Sequence, residues 1–305
     1  MEYLVFYSRL PRNAVTTFGV ISKNDPSPYE MYTLSCFMKI SALLKDMRMG
    51  KIAALPLSVV PRAAVVPILY GSLRGRKWIV GSAIHRCWLG FYEHEKQRLI
   101  SREVQPGSVF WDVGANVGFY SLLAAKFVGS GKVFAFEPVP RNLSYLQEHL
   151  ALNRVTNVEV LAMAVSDRNG TSSFEIEETG FMGHLADEGR ITVPTATLDT
   201  LVEEGKVLPP DLVKMDIEGA EVMALRGASR TFQRFRPVLF LAMHGREVET
   251  ECRCLLKSWG YDCRNIGPES DSDLGEIIAK FPTSRIQEAG RILDGAGMCV
   301  EGRKP

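Results

Sequence analysis

From residue 109 onward, five short apolar runs each end on a side chain that can carry charge or move a proton. They are Val-Phe-Trp-Asp112, Val-Phe-Ala-Phe-Glu137, Ala-Val-Ser-Asp167, Val-Lys-Met-Asp216 and Leu-Ala-Met-His244. Any one of these could be a turn former. Four acids and a histidine recurring at the same place relative to apolar runs point instead to a shared edge. Acids there can accept hydrogen bonds from ligand hydroxyls or balance a cation, and a histidine can take a proton near neutral pH.

Behind the first acid comes Asp112-Val-Gly114-Ala-Asn116-Val-Gly118, a glycine turn that opens a helix. Glycines let the backbone approach a ligand, and a helix N-terminus offers free N–H groups. The spacing is not the full G-x-G-x-x-G of dinucleotide sites, and an acid just before the turn would repel a pyrophosphate. Glu137, one βα unit on, stands where an acid can accept from ribose hydroxyls. A nucleoside with a cationic substituent suits both acids, and S-adenosylmethionine is such a molecule.

The elements that must position these residues follow from the pattern. Strands are expected at Val109–Val113, Lys132–Glu137, Val158–Val165, Leu212–Asp216 and Val238–His244. Helices are expected at 117–128, 140–153, 220–225 and 247–259. Alternation of this kind gives an α/β fold with a doubly wound parallel sheet, whose ligands bind outside the carboxyl ends of the strands. Residues 170–197, rich in glycine, read as an insertion above the sheet. Residues 1–100 read as an appended region with a helix over Met31–Met47, residues 101–268 as the cofactor domain, and 269–305 as a C-terminal extension, peripheral or partly disordered.

The whole chain has 305 residues, 46% hydrophobic and 23% charged, which excludes collagen-like, disordered and disulfide-scaffold classes. Its formal charge of +1 conceals a basic head: residues 1–90 carry 12 Lys/Arg and 4 Asp/Glu. Such a head suits a phosphorylated ligand or an anionic surface, or serves solubility. No basic run interleaved with aromatics points to nucleic acid. The six cysteines form no paired framework, and His244, Cys252, Cys254 and Cys263 match no common zinc spacing. A metal held by Asp216 and other acids is an alternative that no His/carboxylate spacing supports, and none is expected. The start of the chain lacks the order of a signal peptide, and the apolar stretch 52–70 is broken by Pro56, Pro61, Arg62 and Pro67. A cytoplasmic protein without a transmembrane segment is expected, with peripheral membrane contact and oligomeric state left open.

Taken together the motifs resemble those of the FkbM-type branch of the class I S-adenosylmethionine-dependent methyltransferases. The matching pieces are Phe110-Trp-Asp-Val-Gly-Ala-Asn-Val-Gly-Phe-Tyr-Ser121, Ala135-Phe-Glu-Pro138, Asn157-Val-Glu-Val160 leading to Ala164-Val-Ser-Asp167, and Thr197-Leu-Asp199. They continue with Leu212-Val-Lys-Met-Asp-Ile-Glu-Gly-Ala-Glu221, Leu225-Arg-Gly-Ala228 and the run from Arg236-Pro237. The resemblance implies a mostly parallel, seven-stranded Rossmann-like sheet. It implies that Asp112, Gly114, Asn116 and Gly118 cradle the methionine part of the cofactor, Glu137 the ribose, and Ser166 with Asp167 the adenine edge. Asp216, Glu218 and Glu221 stand at the family's second acidic signature. One departure is Ala242, two positions before His244, where the family usually carries glutamate.

The expected activity is therefore methyl transfer from S-adenosylmethionine to a hydroxyl of a small molecule such as a sugar or secondary metabolite, the acceptor being a metabolite or glycan and, given the basic head, an anionic or lipid-linked one. His244 is the expected base, with Asp216 and Glu218 beside the reacting centre, while Glu221 reads as a helix-dipole acid. His184 in the insertion reads as a solvated loop histidine, an alternative base by position. His85, Trp78 and Trp88 read as packing. Two other readings compete: a nicotinamide-dependent oxidoreductase, disfavoured by Asp112, and a non-catalytic cofactor-binding or membrane-surface protein organised around the basic head.

Overall fold

The structure, a computed structural model, describes residues 7–9, 15–17, 60–176, 183–185, 191–266 and 274–282. The helix expected over Met31–Met47, Cys36, Met182, Cys299 and the polar tail beyond 282 lie outside the described residues, as does the side chain of His184. No helix among the described residues is long and apolar enough to cross a membrane.

An antiparallel pair, β1 (Tyr7–Arg9) and β2 (Val15–Thr17), precedes a second, β3 (Val65–Pro67) and β4 (Lys77–Ile79). Helices α1 (His85–Leu89) and α2 (His94–Glu103) lead into the alternating part. This runs β5 (Val109–Val113), α3 (Phe119–Val128), β6 (Lys132–Phe136), α4 (Pro140–Leu152) and β7 (Val158–Leu161). A side arm follows: β8 (Ala164–Val165), β9 (Gly170–Ile176), β10 (Gly183–Leu185) and β11 (Ile191–Ala196). The chain then returns through α5 (Leu198–Glu203), β12 (Leu212–Met215), α6 (Glu221–Arg226), α7 (Ser229–Phe235), β13 (Val238–His244), α8 (Arg246–Ser258), β14 (Asp262–Asn265) and β15 (Leu274–Lys280).

The central sheet has seven strands in the order β14-β15-β13-β12-β5-β6-β7, and β15 alone runs against its neighbours. The order reverses between β5 and β12, so the crevice at their carboxyl ends is the place a doubly wound sheet offers a ligand. Both faces of the sheet are covered, which is why β5, β6, β12 and β13 are mostly apolar rather than alternating, with the Asp112 and Lys214 pair as the charged exception inside β5 and β12. Pro140 sits in the first turn of α4, where its missing N–H costs nothing.

Three expectations are corrected. The run 158–165 is not one strand: it breaks at Ala162-Met163, and Ala164–Val165 joins the four-stranded side arm β10-β9-β11-β8. The extension after 268 is not wholly peripheral, because β15 enters the sheet with Ile277 and Ala279 fully buried against the core. Its polar lead-in concealed a seven-residue strand. No core boundary falls at residue 100 either: Ile68, Leu73, Trp78, Trp88 and Ile100 share one apolar cluster with Phe110, Leu122 and Leu146. Trp78 stacks on His149 at 3.9 Å between ring centres and meets Phe119 edge-on, while Trp88 donates to His85 Nδ1 at 3.0 Å, a packing role for both residues.

Candidate active site

The loop from β5 into α3 forms the floor of the crevice. Gly114 has φ +77°, and a Cβ there would stand 1.9 Å from the Asp216 carbonyl oxygen, so only glycine lets the β5 and β12 loops touch. Asn116 adopts φ +49°, and its N–H donates to Glu137 Oε2 at 2.8 Å. Gly118 (φ +90°) serves packing instead: a Cβ would meet Leu146 of α4 at 2.4 Å, and the residue does not line the cavity.

Asp112 does not rim the pocket as expected. It is fully buried beneath the loop, accepts from Ser121 Oγ at 2.6 Å, and faces Lys214 Nζ at 3.4 Å. Lys214 is its direct partner across β5 and β12. Lys214 also donates to the Gly114 carbonyl at 2.7 Å and reaches the cavity. A buried carboxylate requires a partner of this kind; the acid before the glycine turn holds the loop from below.

The cavity has a volume of about 420 Å³, within the roughly 300–1,000 Å³ of small-molecule sites. Glu137 lines it while its carboxylate accepts from three donors, Asn116 N–H, Val139 N–H at 2.9 Å and Asn142 Nδ2 at 3.4 Å. Burial holds its pKa above the ordinary carboxylate value, and these hydrogen bonds offset part of that rise. Phe136, Met163, Ala164 and Val165 form the wall beyond Glu137. Ser166 and Asp167 lie just past that wall and do not line the cavity; the Ser166 carbonyl packs against Gly227. The opposite wall comes from the N-terminal region, with Ala83, Ile84, Cys87 and Tyr92. Burial pushes the Cys87 thiol up to about 12, so it is not a nucleophile at neutral pH.

At the other end, the ends of β12 and β13 bring Asp216, Glu218 and His244 together. His244 Nε2 lies 3.2 Å from Glu218 Oε2 and 3.6 Å from Asp216 Oδ1, and Nδ1 is 2.9 Å from Glu221 Oε1. Glu221 is fully buried, and Oε1 also accepts from the Gly219 N–H at 3.0 Å and more weakly from Ile217. Burial by itself would depress the His244 pKa, but Glu221, Asp216 and Glu218 raise it overall. Burial would raise Asp216, yet Lys214, Lys96 and His244 hold it below the ordinary carboxylate value. Among the described residues, Asp216, Glu218 and His244 form the one trio whose possible metal-ligating atoms all lie within 4.8 Å. The site can accept a hydroxyl proton at Nε2 and stabilise positive charge beside it.

Of the expected residues, the structure places Glu137, Asp216 and Glu218 on the cavity lining and His244 beside it, and four others take part in holding the site together. Lys214, inside a strand, carried a signal, since a charge in an otherwise apolar strand needs a partner. Glu221 was assigned to the helix dipole. Tyr92 and the buried His149 emerge only from packing. His149 donates from Nδ1 to the Val117 carbonyl at 2.7 Å and accepts from the Ile79 N–H at 3.1 Å, joining the N-terminal hairpin to the glycine loop.

A doubly wound sheet with one reversed strand, a glycine loop at its switch point and an acid at the next strand end makes this a Rossmann-like nucleotide-binding architecture. A family model, Methyltransferase FkbM domain, matches residues 112–290, more than half of the chain, and the chain belongs to that family. It is 34% identical over 143 residues to hexuronic acid methyltransferase AglP of Haloferax volcanii, covering 46% of this chain and 58% of that protein. It is 29% identical over 161 residues to 2-O-methyltransferase NoeI of Sinorhizobium fredii, covering 46% of this chain and 65% of that one. The chain therefore matches less than two thirds of either relative's length. Among solved structures, the methyltransferase FkbM of Methylobacillus flagellatus KT aligns with a TM-score of 0.42 and 19% identity, over 57% of this chain and 44% of that one.

Proposed function

We propose that this chain is an S-adenosylmethionine-dependent O-methyltransferase acting on a hydroxyl of a sugar-type acceptor. The observation that carries the reading is one cavity that joins the glycine loop and Glu137 at one end to Asp216 and Glu218, with His244 beside them, at the other. The names of two relatives, a hexuronic acid methyltransferase and a 2-O-methyltransferase, support the choice of a sugar hydroxyl. The basic head, 12 Lys/Arg against 4 Asp/Glu in residues 1–90, supports an acceptor that is anionic or carried on an anionic lipid.

The residues fit the cofactor. Gly114 lines the cavity and lets the β5 and β12 loops close on each other beneath it, Glu137 keeps acceptor capacity for ribose hydroxyls beside an apolar wall, and the carboxylates of Asp216 and Glu218 suit a positive centre. When bound, the cofactor supplies an activated methyl for in-line displacement, so alignment provides much of the rate. Glu221 fixes His244 with the proton on Nδ1 and leaves Nε2 to take the hydroxyl proton. Asp216 and Glu218 then stabilise the imidazolium that results. Tyr92 and Ile84 shape the wall against which the acceptor lies.

Calorimetry with S-adenosylmethionine, its demethylated product and NAD tests the cofactor, and mass-shift detection with labelled cofactor on uronic acid and hexose glycans tests the acceptor. Binding of the two sulfur nucleosides but not NAD, lost in Glu137→Ala, is expected. Binding of NAD alone would sink the reading.

A further inference from the structure

Six large apolar side chains stand exposed among the described residues, and four of them, Leu69, Tyr70, Ile84 and Phe91, fall between residues 69 and 91. Each is just over half exposed, at 52, 51, 54 and 52%. The cluster is built rather than loose. Leu69 and Tyr70 follow β3 at the tip of the β3–β4 hairpin, and the tip is pinned to the end of α1 by the Leu69 N–H to Trp88 carbonyl bond of 3.0 Å. Gly90 lies so close that a Cβ would be 2.0 Å from the Tyr70 carbonyl oxygen. Tyr70 stacks on Phe91 at 5.1 Å and on His94 at 6.0 Å. Ile84, at the start of α1, also lines the cavity, so the patch begins at its mouth.

Along the segment that carries this patch the charge has one sign. Residues 60–91 hold Arg62, Arg74, Arg76, Lys77 and Arg86 and no Asp or Glu; all five are exposed except the partly buried Arg76. The next acid along the chain, Glu93, is bound inward to Lys96 and Tyr120, and the first solvent-facing one in sequence is Glu95. A rigid aromatic tip flanked by cations is the composition that sits at the headgroup level of an anionic bilayer, with rings at the acyl boundary and Lys or Arg on phosphates. A patch of this kind that no other described element covers marks an interaction face.

We propose that the face formed by Leu69, Tyr70, Ile84 and Phe91 docks on an anionic lipid surface and brings the cavity mouth to the headgroup plane. This deepens the sugar-acceptor reading by making the acceptor a glycan presented on a lipid, and it rests on that reading only for the acceptor. Docking itself needs neither cofactor nor turnover.

The test is flotation of the full chain with vesicles of phosphatidylcholine alone and of phosphatidylcholine mixed with phosphatidylglycerol, at low and high salt. The chain is expected on the mixed vesicles only and is released by salt. The double variants Tyr70→Ser/Phe91→Ser and Arg74→Glu/Arg86→Glu each lower binding at least about tenfold, with melting temperature and cofactor affinity unchanged. Failure of the native chain to float with the mixed vesicles, or undiminished binding in both double variants, overturns the proposal. So does self-association, or binding of an acidic protein, that Tyr70→Ser/Phe91→Ser abolishes without any vesicle binding by the native chain. Loss of cofactor binding would sink the methyltransferase reading and leave flotation unaffected, so the two failures are distinguishable.

Discussion

The two groups of charges flanking the cavity treat charge differently. At the β5–β6 end, Asp112 is paired with Lys214 and Ser121, and Glu137 is held by three N–H donors, so the charges are compensated inside the protein. At the β12–β13 end, three carboxylates surround one imidazole that is 20% exposed. The first end is preorganised to receive a ligand. The second carries an excess of negative charge beside a titratable group and is suited to moving a proton. A rigid loop and a responsive cluster can flank one cavity because they hang from different strands of the same sheet.

The largest break in this comparison is expected from Gly114→Ala. Its Cβ would enter the Asp216 carbonyl at a positive φ, forcing the two loops apart. Cofactor binding should vanish in calorimetry and the melting temperature should fall, the cost being several kcal/mol. Retained affinity would show that the ends are not coupled through that contact.

Next comes Glu221→Ala, which leaves the glycine loop untouched. A fall in kcat of about 10² to 10⁴ is expected with cofactor Kd nearly unchanged, and Glu221→Gln should recover part of it by keeping the hydrogen bond. Because the His244 pKa is raised, the acid limb of the pH–rate profile should lie above its ordinary 6.5. The same shift makes His244 stabilise the fold below pH 6.5 and lose that contribution as pH rises through the folded value. A limb that does not move in Glu221→Gln would remove Glu221 from the mechanism.

The third probe bears on the preorganised end alone. Burial lowers the His149 pKa from 6.5 to about 4, so the unfolded chain takes up a proton in that interval and the native chain does not. Its stability should be intact above pH 6.5 and decline as pH falls towards 4, by on the order of 3 kcal/mol. His149→Gln should flatten this decline in denaturant titrations. The smallest effect is expected from Asp167→Ala: since Asp167 lies beyond the cavity wall, cofactor Kd should change less than about threefold. A larger loss would extend the binding surface past Val165.

Much of the fold was legible before any coordinates. Buried parallel strands must be apolar runs, and βαβ crossovers must alternate with them, so the strands ending at Asp112, Glu137, Asp216 and His244 declared themselves. β15 did not, because a strand added from beyond a polar loop has no crossover helix to announce it. The 158–165 break was also hidden, since a two-residue interruption does not change local hydrophobicity. Of the site, acids at strand ends were visible, but which way each carboxylate turns was not. Asp112 turns inward because Lys214 lies across from it, a register fact that no local spacing contains.

The sequence by itself determined the sheet, the glycine turn and the set of ionisable groups at one edge, because periodicity and residue type fix local structure. Only the tertiary structure decided that Lys214 neutralises Asp112, that Glu221 orients His244, and that the N-terminal residues Ile84 and Tyr92 close the cavity wall. Each of these is a contact between segments far apart in the chain, and burial makes it obligatory: a charge removed from water must find its partner wherever the fold brings one.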